Sequence, residues 1–127
     1  MHPSAKSDDV ATKLYSAFEG LKAGTTDDEL FDRLASTLNA ALIRAESIDE
    51  LCLAPLQAAA DALRRCELIC TRHGRYGFDG PGLQAMAAGL KVCEEIIRNS
   101  SPKQMFDAFA ESLARVHLQL RMERQTV

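Results

Sequence analysis

The sequence contains no tryptophan, and aromatic residues make up only 6% of its 127 positions. Sheets favour β-branched and aromatic side chains, so a core built from Leu, Ala, Ile, Met and Cys favours close-packed helices instead. No apolar run approaches the roughly 20 residues that a membrane-spanning helix needs. The polar N-terminus also lacks the apolar stretch of a secretory signal peptide. We therefore expect one all-α, cytoplasmic domain over residues 1–127.

Charge is unevenly distributed between the two halves of the chain. Residues 1–63 contain five Lys/Arg and eleven Asp/Glu, a net charge of −6, whereas residues 64–127 contain ten and seven, a net charge of +3. Such asymmetry indicates either complementary surfaces between helices or a charged partner. Arginine outnumbers lysine ten to five, which, with the high alanine content, is typical of a bacterial protein.

Apolar periodicity and capping signals predict five helices, over about 8–21, 27–45, 55–72, 81–98 and 102–122. Three capping boxes are predicted, in which a Ser or Thr and a Glu or Gln three residues later satisfy each other's backbone donors; they are Thr26/Glu29, Ser47/Glu50 and Ser101/Gln104. Residues 1–7 and 123–127 are predicted to be flexible.

The fourth and fifth predicted helices carry similar heptad-like seams. Their apolar residues step by three and four, and they are Leu83, Met86, Leu90, Cys93 and Ile97 in one helix and Phe106, Phe109, Leu113, Val116 and Leu120 in the other. Since a short turn joins these helices, we predict an antiparallel hairpin. The seams could also continue into a homodimer. Gly89 lies inside the fourth helix, which indicates that another helix crosses close by.

Four of the seven glycines fall within residues 72–82, where the helical pattern is interrupted. Glycines at this density indicate a loop of definite shape, and Gly74 is the predicted end of the third helix. The glycine spacing matches no nucleotide-binding fingerprint, because no GK[ST] follows and no strand precedes. A phosphate cradle is therefore disfavoured.

The four cysteines lie among apolar residues of predicted helices, which favours free thiols in a reducing compartment. Cys66, Cys70 and His73 follow a C-x3-C-x2-H spacing, and Cys93 lies on the next helix, so a zinc site is an alternative to plain core packing. Cys70 and His73 could also form a nucleophilic pair if Asp79 oriented the histidine. We predict core packing for the cysteines, with no metal, no cofactor and no enzymatic activity.

The loop and the helix before it concentrate arginine and aromatic residues, which are enriched in protein interfaces. We predict a protein-binding module, such as an adaptor, a chaperone-like protein or a regulatory protein, whose contact residues are Arg65, Arg72, Arg75, Tyr76, Phe78 and Asp79. The alternative is a nucleic-acid-binding regulator that uses the basic patch Arg64, Arg65, Arg72, His73 and Arg75 with the loop aromatics. An isoelectric point of about 5.6 argues against that alternative.

Overall fold

The structure is a computed structural model that describes the backbone of residues 4–125 and the side chains of residues 9–118, 121 and 122. Within residues 4–125 the chain forms no strand, and its elements are α1 (Ser4–Lys22), α2 (Asp28–Ile48), a 3-10 turn (Glu50–Cys52), α3 (Leu53–His73), α4 (Gly80–Arg98) and α5 (Pro102–Gln125). The predicted all-α fold with five helices is confirmed. No helix in this range is both long and apolar enough to cross a membrane.

The core lies between α1, α2, α3 and α4. Its largest fully buried side chains come from all four helices, and they are Leu14, Leu21, Leu34, Leu38, Leu56, Met86, Leu90, Cys66 and Cys93. Leu, Met and Cys side chains therefore fill the centre of the core, and the sequence has no tryptophan to place there. Burying each such side chain contributes roughly 1.5–3 kcal/mol relative to leaving it in water.

Two of the three predicted capping boxes are wrong. Asp27 caps α2 instead of Thr26, because its carboxylate accepts the backbone N–H of Glu29 at 2.9 Å. Ser47 lies inside α2, which continues to Ile48, and the carboxylate of Asp49 caps the following 3-10 turn by accepting from the N–H of Leu51. An Asp next to a candidate Ser or Thr offers a charged acceptor, which suits the positive end of a helix.

The third capping box is confirmed, at the start of α5. The hydroxyl of Ser101 accepts the N–H of Gln104 at 3.0 Å, and the side-chain oxygen of Gln104 accepts the N–H of Ser101 at 2.8 Å. Pro102 follows as the first residue of α5, where the missing backbone donor costs nothing.

The α3 and α4 helices cross at Gly89, as the sequence predicted. A Cβ atom added to Gly89 would collide with the Cβ of Ala59 and would lie 3.0 Å from the carbonyl oxygen of Pro55. Pro55 itself lies in the first turn of α3, where its missing donor is tolerated. The two helices can therefore approach this closely because residue 89 has no side chain.

The α5 helix packs chiefly against α2. The predicted antiparallel pairing of α5 with α4 stays a prediction, compatible with the short connection at 99–101. The predicted flexible ends also stay a prediction: α1 and α5 extend into residues 4–7 and 123–125, and residues 1–3 and 126–127 lie outside the described part of the chain.

Candidate functional site

Tyr76, at the centre of the predicted contact residues, is an internal side chain and only 6% exposed. Its ring stacks on Phe31 of α2 with centroids 5.1 Å apart and planes 5° from parallel. Its hydroxyl donates to Asp28 Oδ1 at 2.6 Å, and its backbone N–H donates to the carbonyl of Thr25 at 3.0 Å. Tyr76 is therefore internal, because α2 supplies both an aromatic face and an acceptor, and its role as a partner contact stays a prediction.

The burial of Tyr76 changes the acidity of its hydroxyl. Desolvation raises the pKa of Tyr76 above the ordinary value of about 10, and the hydrogen bond to Asp28 and the charge of that carboxylate raise it further. The phenol therefore stays protonated as the donor to Asp28, and it is not available as a general base near neutral pH.

Phe78 is half-buried and also points inward. Its ring meets that of Phe18 edge to face, at a centroid distance of 5.5 Å and an interplanar angle of 72°. Such pairs contribute about 0.5–1.5 kcal/mol beyond their buried area. The loop between α3 and α4 (residues 74–79) thus closes one end of the bundle through two aromatic contacts, with α2 and with α1.

Asp79 and Arg65 are engaged with each other and with the backbone. Asp79 is the N-cap of α4, since its Oδ1 accepts the N–H of Gly82 at 2.6 Å. Its Oδ2 lies 3.3 Å from Nε of Arg65. The pair fixes the start of α4 relative to α3, and both side chains remain half-exposed.

Arg72, His73 and Arg75 are exposed at the C-terminal end of α3. Gly74 ends this helix in the left-handed region, at a φ of 80°, as the sequence predicted. No ion pair involves Arg72 or Arg75 among the side chains that the structure describes. The other residue of the predicted basic patch, Arg64, pairs with Asp61 at 3.4 Å.

A surface cleft of about 610 Å³ lies beside the loop. Lys22, His73 and Arg75 contribute its cationic or ionisable side chains, and Ile69 and Tyr76 contribute apolar surface. The cleft adjoins the C-terminal ends of α1 and α3. Because the C-terminal end of a helix carries a partial negative charge, this cleft is less favourable for an anion than its side chains alone indicate.

The cysteines lie within the helical core and its edge. All four are free, with Cys66 and Cys93 buried and Cys52 and Cys70 half-buried. Desolvation raises the pKa of Cys93 to about 12 and also raises that of Cys66, although a hydrogen bond with the backbone of Gly77 partly opposes the second shift. A buried thiol with a raised pKa is a poor nucleophile. No group of three His, Cys, Asp or Glu side chains within the described residues could hold a metal ion.

A row of large apolar side chains on α5 is exposed. Phe106 is 72% exposed and Leu113 is 62% exposed, and Phe109 and Val116 continue the same row. We call these four residues the α5 stripe. A neighbouring row of α5 faces the rest of the molecule. It consists of Ala108, which is buried, and of Met105 and Ser112, which are half-buried.

A groove of about 560 Å³ runs between α2, α3 and α5. Leu42, Ile43, Leu53 and Val116 contribute its apolar surface. Arg115 lies at its edge and donates to both carboxylate oxygens of Glu46, at 3.0 and 3.1 Å. This hydrogen-bonded pair lowers the pKa of Glu46 and ties α5 to α2.

The four residues of the α5 stripe belong to the predicted seam of the fifth helix, for which a contact with α4 and a homodimer were both predicted as possible partners; in the single chain the stripe is exposed. Two rows of α5 lie one residue apart, and the larger side chains belong to the exposed row, so side-chain size alone points to the stripe as the packed row. Ala108 is the signal that could have identified the inner row, because a small side chain permits close approach of two helices.

No protein-family model, curated protein or solved structure matches the chain.

Proposed function

We propose that this chain is a non-enzymatic protein-protein interaction module, of the adaptor, chaperone-like or regulatory kind, and that it binds through the α5 stripe. One observation carries the proposal: Phe106, Phe109, Leu113 and Val116 are exposed along α5, while the neighbouring row that includes Ala108 packs on the rest of the molecule, chiefly on α2. Single exposed apolar residues are ordinary, whereas a contiguous row is associated with an interaction site.

The energetics favour coverage of this face. Each Phe or Leu side chain gains roughly 1.5–3 kcal/mol on full burial, and the two most exposed members of the stripe retain most of that gain for a partner. An amphipathic helix offers such residues at regular spacing, which suits recognition by another helix or by an apolar groove.

The predicted contact residues of the loop take different parts in this proposal. Arg72 and Arg75 remain candidates for orienting a partner by charge. Tyr76, Phe78 and the Arg65–Asp79 pair support the loop from within and from its edge, so their contribution is to hold the arginines in place.

Nucleic-acid binding is the second candidate function. The cationic side chains of the cleft beside the loop favour it, whereas the adjoining C-terminal ends of α1 and α3 oppose an anion. Lys22, His73 and Arg75 line that cleft, and Arg72 is exposed nearby. The inward position of Tyr76 removes the stacking platform that single-stranded binders use. The remaining cationic side chains could contact only the phosphates. Phosphate contacts by themselves give binding that does not depend on the nucleic-acid sequence and that weakens steeply as salt rises.

The first function can be tested by replacing Phe106 with a photoreactive phenylalanine analogue in the cells that make the protein. Irradiation should attach a partner protein, and Leu113→Glu should abolish that attachment. The matched control places the same analogue at Leu51, which is 84% exposed but lies outside α5. Equal attachment at both positions, or none at position 106, would contradict the proposal.

The second function can be tested by titrating the chain with mixed single-stranded and double-stranded DNA and RNA at low salt. Binding should weaken log-linearly as salt rises, and Arg72→Glu combined with Arg75→Glu should remove it. Absence of any mobility shift at low salt would eliminate this candidate.

A further inference from the structure

The two halves of α5 differ in how the rest of the molecule holds them. In the first half, a capping box fixes the start of the helix and Ala108 is buried. Beyond Ser112, every described side chain of α5 is exposed. An isolated helix shorter than about 12–15 residues is marginal in water, and residues 113–125 are within that length. The helical form of this second half therefore depends on the contacts that its exposed residues make.

Arg115 makes a contact of defined geometry between this half and α2. Its Nη1 and Nη2 donate to the two carboxylate oxygens of Glu46, at 3.0 and 3.1 Å, and its Nε donates to Glu111 at 3.1 Å. Two parallel bonds from a planar guanidinium to one carboxylate fix the orientation of both groups, which a single-point ion pair does not. Val116, which lines the groove, and Met122, which makes an interaction of its own, add to this contact.

Glu46 lies at a place where α2 needs a positive charge. It belongs to the last turn of α2, which contains no basic residue. The carbonyl groups at the C-terminal end of a helix carry a partial negative charge, so a carboxylate there is unfavourable unless a cation lies beside it. Arg115 supplies that cation from α5. The pair therefore stabilises the end of α2 and holds α5 at the same time.

We propose that the Glu46–Arg115 pair is an ionic clasp, and that residues 113–125 form a strap that opens when the clasp is released. The first half of α5 stays packed on α2 while the strap unfolds locally, as segments with little buried apolar contact do. Arg115 and Val116 form part of one wall of the groove between α2, α3 and α5. Opening the strap uncovers the half-buried Leu42 and Ile43 of that groove, so ionic strength controls access to it.

The exposure of the clasp makes it responsive to salt. The side chains of Arg115 and Glu46 are 50% and 48% exposed. Exposed ion pairs contribute modestly and are screened by salt, and bidentate geometry places a pair toward the upper end of their range. A contact of this strength changes the open fraction of the strap several-fold and leaves the core, which lies between the other four helices, intact.

Release of the clasp also divides the α5 stripe. Leu113 and Val116 belong to the strap, whereas Phe106 and Phe109 belong to the first half of the helix. Binding of a partner through the stripe should therefore weaken when the strap opens. This consequence, unlike the clasp itself, rests on the proposed function.

Amide hydrogen exchange of the full chain, resolved by NMR, tests the clasp. Glu46→Gln removes the carboxylate and with it an unfavourable charge at the end of α2, so the variant should fold. We expect the amides of residues 116–122 to exchange roughly threefold to tenfold faster, with those of residues 105–110 and of α4 unchanged. Asp61→Asn is the matched control, because it breaks an exposed ion pair with Arg64 on the opposite wall of the groove. It should leave exchange in α5 unchanged.

Two further measurements test whether the interaction is ionic and bidentate. Added salt should speed exchange of the strap in the wild type toward the rate of Glu46→Gln, and should change that variant little. Arg115→Lys keeps the positive charge without the fork of donors, and should also speed exchange. Strap amides that exchange equally in the wild type and in either variant, a wild-type rate that salt does not change, or an acceleration that spreads through residues 105–110 would each overturn the inference.

The clasp and the proposed function fail separately. If Glu46→Gln speeds exchange of the strap but the analogue at position 106 attaches nothing, the clasp stands and the interaction module is overturned. If position 106 attaches a partner and exchange of the strap is unchanged in Glu46→Gln, the interaction module stands and the clasp is overturned.

Discussion

Tyr76 and Asp28, separated by 48 residues in the chain, are joined by a hydrogen bond of 2.6 Å from the phenol to the carboxylate. Because Asp28 begins α2 and Tyr76 lies in the loop between α3 and α4, the bond links two parts of the chain that local sequence does not connect. The stacking of the Tyr76 ring on Phe31 supports the same link.

Removing the hydroxyl isolates the contribution of this bond. Tyr76→Phe should lower the free energy of unfolding by about 1.5–3 kcal/mol, the usual range for a hydrogen bond to a charged group. Chemical denaturation gives the measurement. Tyr15→Phe is the matched control, since its hydroxyl makes a longer bond of 3.1 Å to Glu94, and it should cost less. A larger loss for Tyr15→Phe would contradict this account.

Removing the whole ring tests whether Tyr76 belongs to the core. Tyr76→Ala should cost about 3–5 kcal/mol, as large truncations of buried aromatic residues do. Arg75→Ala, at the adjacent exposed position, is the control and should change stability little. If the two variants melted at the same temperature, Tyr76 would have to be a surface residue.

The raised pKa of Tyr76 predicts a loss of stability in alkaline solution. The folded state holds the phenolic proton more tightly than the unfolded state, whose pKa is about 10. This contribution is therefore fully present below about pH 10 and is lost as the pH rises toward the higher pKa of the folded state. Unfolding measured at a series of pH values should show this decline, and Tyr76→Phe should flatten it. An equally steep decline in the variant would assign the effect to other groups.

The crossing of α3 and α4 predicts that even a methyl group is unfavourable at position 89. Gly89→Ala gains up to about 1 kcal/mol of helix propensity but overpacks the contact with Ala59, which typically costs about 1–3 kcal/mol. Gly89→Leu should be more destabilising still. Ala88→Leu, on the exposed neighbouring position, is the control. Thermal unfolding that leaves Gly89→Leu as stable as the wild type would show that the helices do not meet there.

The four thiols should differ in reactivity toward iodoacetamide. Cys52 and Cys70 are half-buried and should be modified first, whereas Cys66 and Cys93 are buried and have raised pKa values, so little reactive thiolate forms. Mass spectrometry of peptides over time gives the order. In denaturant all four should react at similar rates, and early modification of Cys93 in the native protein would contradict its placement.

Features set by neighbouring residues could be predicted from the sequence. The five helices, the stop at Gly74 and the capping box of Ser101 and Gln104 each depend on side chains within a few positions of one another. The close crossing at Gly89 could also be inferred, because a glycine inside a helix is costly unless its missing side chain is used.

Features set by distant residues could not be predicted. Whether Tyr76 is exposed depends on Asp28 and Phe31, which the chain brings near only after α2 and α3 have packed. The orientation of α5 depends on which of two rows, the one with Ala108 or the one with Leu113, contacts α2. Periodicity alone does not distinguish rows that are one residue apart.

The contact between Gly89 and Ala59 also has a consequence for the specificity of the fold. Sliding α4 along α3 by one turn, about 5.4 Å, would replace Gly89 at the crossing by Ala85 or by the larger Cys93. Neither side chain fits where the backbones nearly touch, so α3 and α4 have a single low-energy register. That register determines where the chain must turn between them, and the length of the loop at residues 74–79 is matched to it.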